Sequence, residues 1–122
     1  MTKAYTDIEL SKTLAKILPI ESADMSWYKE TKMFPFELHT LPYTKHFVRN
    51  DMDDELLPCW SLAALLELIQ DDIKIEKTLF DQSDLFTYSI LSDTFDYRTY
   101  EHEELIDACV EMIVKLKEKG LI

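Results

Sequence analysis

The sequence predicts an α+β fold, a small antiparallel sheet of about three strands joined as a meander, with helices packed on one face. Two patterns point there. Apolar residues recur at helical spacing in three segments, near residues 6–18, 61–69 and 103–119, and period-two alternation is confined to the block between 73 and 100. Length supports one core: 122 residues, 47% hydrophobic and 30% charged, fit a single domain spanning 1–122 that folds without a metal or disulfide.

The first helix is expected in "TDIELSKTLAKILP". Thr6 and Glu9 stand at capping-box spacing, Leu10, Leu14, Ile17 and Leu18 share one face, and Pro19 ends the run. From residue 20 to 55 the period is lost, and Pro35 and Pro42 argue against a long helix or a central strand. "ADMSWY" and "FPFELHT" read as short edge strands. Trp27, Tyr28, Phe34, Phe36, Tyr43 and Phe47 are costly to leave in water, so this stretch is expected to wrap over the core as an aromatic arm.

"LPCWSLAALLELIQ" is the most strongly patterned stretch. Ser61 suits an N-cap, which puts Trp60 before the cap and Leu65 four residues in, the spacing of a hydrophobic staple. Leu62, Leu65, Leu66 and Ile69 then form the apolar stripe. Cys59, inside the same apolar pattern, reads as a small filler.

Strands are expected from Ile73, from Phe86 and from Phe95 to Tyr100, with "DQSD" and "LSDT" as turns. Lys77 breaks the parity of the first, which predicts an early end or a bulge there. The last helix, from Glu101 or Glu103 to Lys119, has acids at its start, lysines at its end and Leu105, Cys109, Ile113 and Leu116 on its buried face. Gly120 fits the left-handed position after the C-cap, Leu121 folds back on Leu116, and Ile122 completes the core.

Composition excludes several classes. A net charge of −11 repels phosphates, so direct nucleic-acid binding and attachment to anionic membranes are not expected. No secretory signal or membrane span is visible, and two cysteines are too few for a disulfide framework, which together point to the cytoplasm. The single glycine leaves no phosphate-binding loop.

Site chemistry is sparse. His39, His46, Cys59, His102 and Cys109 have no tight ligand spacing, and "HEELI" puts Ile106 where a zincin needs its second histidine, so neither a metal nor a cofactor is expected. Calcium is disfavoured in "NDMDDELL", where Asp51, Asp53 and Asp54 have no glycine turn and the twelfth position is Leu62. Phe86, Tyr88, Phe95, Tyr97 and Tyr100 have only Arg98 among them, which favours cross-strand pairing over base stacking. Cys59 is the one sharp catalytic candidate, since a thiol at a helix N-terminus is more acidic; it requires exposure and a neighbouring His39, His46 or His102.

Three segments, "ESADMSWY", "LPCWSLAALLELI" and "LIDACVEMIVKLKEKGLI", together resemble a group of small uncharacterised proteins of gut bacteria, their phages and mobile elements. In that group an SADM-like segment precedes PxWSLxALLEL, a short sheet and a helix ending like WLKENGxI. Lys115 and Leu116 depart from it where an aromatic is common. The resemblance implies a bacterial or phage origin and carries no catalytic residue.

Three readings follow. The first is a non-enzymatic interaction or regulatory module with a protein partner or a second copy at an open sheet edge or the arm. The second is an acidic decoy that mimics nucleic acid for a basic protein. The third is a small enzyme built on Cys59.

Overall fold

Among the described residues two antiparallel three-stranded sheets are formed, where one was expected, and with the helices they make an α+β fold. The structure, a computed structural model, describes residues 3–29, 35–40, 55–69, 73–79, 85–93 and 96–122. The chain divides into two compact units.

One unit comprises Tyr5–Ala64. Its helix α1 (Ile8–Ala15) is capped by Asp7, whose carboxylate accepts from the Leu10 amide at 2.8 Å. The expected cap, Thr6, is instead fully buried, and its hydroxyl lies 2.7 Å from that of Ser11 and accepts from the Trp60 amide at 3.1 Å. The inward face of α1 accordingly carries Ser11 and Leu14, with Leu18 buried just beyond the helix, while Leu10 is only half-buried.

After Pro19 and a 3-10 turn (Ile20–Ser22), β1 (Met25–Lys29) runs between β2 (Glu37–His39) and β3 (Glu55–Cys59). "ADMSWY" thus supplies a central strand, and β3 is an element the periodicity did not reveal. Register pairs Ser26 with both His39 and Pro58, and Met25 with Cys59. Pro58 fits because β3 is an edge strand, where a missing N–H need not cost a ladder bond.

Ser61 caps α2 (Leu62–Leu68) as its side chain chemistry predicts, accepting from the Ala64 amide at 3.1 Å. Asp24 holds that cap from outside, accepting from the Ser61 amide at 2.9 Å and from its hydroxyl at 2.5 Å. Helix α2 runs across the division between the units.

The other unit comprises Met1–Ala4 and Leu65–Ile122. Its sheet has the order β4 (Ile73–Leu79), β5 (Phe86–Ser92), β6 (Tyr97–Arg98), as the expected meander requires. The third strand is shorter than expected, and Phe95 lies outside the described residues. One face carries Ile73, Ile75, Lys77 and Leu79 beside Ser92, Ile90, Tyr88 and Phe86.

Helix α3 (Leu105–Glu118) packs on β5, and its Ile106, Cys109, Met112 and Ile113 are fully buried. Its end is a Schellman motif: Gly120 at φ +70° donates to the Lys117 carbonyl and Leu121 to that of Leu116, each near 3 Å. Leu121 and Ile122 are nevertheless exposed, so they do not complete the core.

β4 does not end or bulge at Lys77. Its ladder continues to Leu79, and the Lys77 ammonium sits 4.2 Å from the Phe86 ring centre, which accommodates a cation at an apolar-parity position.

Candidate functional site

Cys59 belongs to a strand and is fully buried, not displayed at a helix mouth. Its thiol donates to the Thr6 carbonyl at 3.4 Å and accepts from the Thr6 hydroxyl at 3.6 Å. Burial pushes its pKa up, against the smaller opposing pull of the Thr6 and Ser11 hydroxyls, so the nucleophilic thiolate is suppressed.

None of the proposed base partners is shown beside it. Cys59 pairs with Met25 and His39 with Ser26, so strand alternation sends their side chains to opposite faces of the sheet. His39 stacks edge-on against Tyr28, with ring centroids 5.5 Å apart. His46, Asp51, Asp53 and Asp54 lie outside the described residues. Cys109 is buried among apolar groups and its pKa is pushed up to about 12.

His102 belongs to a polar cluster that the sequence did not reveal. Glu111, on α3, accepts from the Tyr97 hydroxyl at 2.5 Å and from the Tyr100 amide at 3.0 Å, and its Oε1 stands 2.7 Å from His102 Nε2. The bond to Glu111, chiefly, and burial raise the Tyr97 pKa to about 12. Phenol, imidazole and backbone all converge on one carboxylate, which fastens the segment from Tyr97 to His102 onto α3. The signal available was a charged residue set between Val110 and Met112 in the apolar stretch of the helix.

Among the described residues no group of three or more His, Cys, Asp or Glu side chains could hold an ion. A pocket of about 260 Å³ is lined by Leu85, Thr87, Glu101 and Glu103, a mixed apolar and acidic lining. No described helix is long and apolar enough to cross a membrane.

The surface with the clearest capacity for binding is β4. It is an edge strand, and among the described residues nothing pairs with its outer side. An edge strand presents unpaired N–H and C=O groups, a template for a further strand. Ile75 is 45% exposed and Leu79 52%, and Phe86, across from Leu79, is 43% exposed. On the opposite face charges alternate: Lys74 pairs with Asp93 at 3.7 Å, and Glu76 is gripped by both guanidinium nitrogens of Arg98, which hold its carboxyl below the usual range.

Comparison with known protein families, curated proteins and solved structures finds no match to this chain.

Proposed function

We propose that the chain is a non-enzymatic protein-interaction module that takes a strand of its partner along β4. The observation that carries this reading is the coincidence, on one edge strand, of backbone groups that no described residue pairs with and the exposed apolar side chains of Ile75 and Leu79. Main-chain bonds supply affinity in such pairing and alternate side chains supply selectivity. Lys74 and Lys77 are the kind of edge charges that deter indiscriminate pairing, so the strand accepts only a complementary partner.

A catalytic role for Cys59 gains no support from a thiol that is buried, raised in pKa and bonded to Thr6. The acidic-decoy reading needs an uninterrupted strip of carboxylates, whereas the sheet face bearing Glu76 and Asp93 interleaves them with Arg98 and Lys74. The resemblance to proteins of gut bacteria and phages supports a mobile-element origin. Two free buried thiols accord with work in the cytoplasm.

The test is a photo-crosslinking amino acid placed in living cells at Ile75 or Leu79 on β4, and at the exposed Lys117 on α3 as reference. Adducts to a specific protein from the β4 positions and none from Lys117 are expected. Absence of adducts at β4, or equal capture at Lys117, would overturn the reading.

A further inference from the structure

We propose that the strand added to β4 is β4 of a second copy of this chain, paired antiparallel about a two-fold axis through Ile75. This rests on the edge-docking reading and names its partner. Homo-oligomers close most often by such a two-fold, in which one patch meets itself.

The register follows from parity and charge. To keep apolar side chains on one face and polar ones on the other, the two-fold must pass through a residue, since an axis between residues would set the two faces against each other. An axis through Lys74, Glu76 or Lys77 opposes two like charges directly, which is destabilising. Axes through Ile73, Thr78 or Leu79 avoid this too, but within Ile73–Leu79 only centring on Ile75 sets opposite charges face to face. Ile75 then meets Ile75 of the second copy, Lys74 meets Glu76, and Glu76 meets Lys74.

The existing ion pairs reinforce that choice. Lys74 already has Asp93 at its side and Glu76 has Arg98, so the paired strands bring together a row of alternating sign, Asp93, Lys74, then Glu76 and Arg98 of the second copy. The same row is repeated by the two-fold. Ile75, 45% exposed in the single chain, loses that exposure against its own counterpart.

The experiment combines mass in solution with a covalent trap. Sedimentation equilibrium from low micromolar to submillimolar protein should give twice the mass of the chain, and Ile75→Glu and Lys74→Glu should each weaken association at least ~10-fold while circular dichroism stays unchanged. Both substitutions lie at exposed positions, so a folding defect in one leaves the other informative.

Ile75→Cys should form a symmetric disulfide under mild oxidation, because directly opposed residues lie about 4.5–5.5 Å apart at Cα, within disulfide reach. Cys59 and Cys109 are fully buried and do not compete. Thr78→Cys should not cross-link, since the two copies of that residue stand roughly 20 Å apart in this register.

A dimer that Ile75→Glu leaves intact, or cross-linking at position 78 in place of 75, would overturn the register and with it the proposal. A monomer at every concentration with no disulfide at position 75 would overturn the second copy as occupant. That result is distinct from failure of edge docking, because photo-adducts at Ile75 would then carry peptides of another protein.

Discussion

The ammonium of Lys77 stands over the ring of Phe86, 4.2 Å from its centre, on the face of the sheet that also carries Ile75 and Leu79. A cation in an otherwise apolar row is stabilised there by the negative face of the ring, and its methylenes cover part of the aromatic surface. Lys77→Ala should lower stability by about 0.5–1 kcal/mol, read from a urea transition. Lys77→Arg should lose far less, since a guanidinium can occupy the same place, and equal losses in both variants would remove the ring contact as the cause.

Glu111 gathers donors from Tyr97, Tyr100 and His102. Glu111→Ala leaves those donors without their acceptor, and the expected cost is about 2 kcal/mol in chemical denaturation. Tyr97→Phe and Glu111→Ala combined should cost less than the sum of the single changes, because they delete the same bond. Full additivity would show that the cluster does not act as a unit.

The Tyr97 phenol, raised to about 12, also sets an alkaline limit. Its ordinary pKa is near 10, so between those values the folded chain keeps a proton that the unfolded chain releases. This contribution is complete below pH about 10 and fades as pH climbs towards 12. The stability of Tyr97→Phe, followed by circular dichroism across that range, should fall less steeply than that of the parent chain; parallel curves would contradict the assignment.

Both thiols should be silent in the native protein. Cys59 and Cys109 are fully buried and each is raised in pKa by that burial, so a thiol reagent should modify them only at the rate of local or global opening. Mass spectrometry identifies the labelled site. Rapid labelling of Cys59 at neutral pH would reverse the conclusion about its role and restore a catalytic reading.

Ser61 and Asp24 form a two-layer cap, the hydroxyl serving the Ala64 amide and the carboxylate serving Ser61 itself. Ser61→Ala should destabilise the chain by about 1 kcal/mol, and Ser61→Thr should retain most of it. A neutral Ser61→Ala in thermal unfolding would mean that α2 is held by packing alone.

Elements fixed by local chemistry were legible in the sequence. Ser61 as a cap, the β4–β5 hairpin and the Gly120 turn each rest on residues close together in the chain. What escaped depends on distant partners. Thr6 reads as the cap, and only its burial against Ser11, Cys59 and Trp60 leaves the role to Asp7.

Strand β3 escaped because Pro58 argues against a strand and nothing local says that it will lie at an edge. Glu111 was hidden for a different reason: no local pattern says that the segment from Tyr97 to His102, just before α3, folds back onto the helix. The sequence left an open sheet edge and the aromatic arm as alternative candidate surfaces, and proposing β4 required knowing the strand order.

Thr6 binds Trp60 through both backbone and side chain, across 54 positions of sequence, and its carbonyl also receives the Trp27 indole at 3.0 Å. During synthesis the amino-terminal segment therefore leaves the ribosome long before its acceptor and donor groups have partners. At roughly 5–20 residues per second that interval lasts several seconds. The hairpin of β4 and β5 closes a short loop and orders quickly once made, whereas the older half of the chain waits for residue 60, and a nascent-chain protease assay would find it cleavable until then.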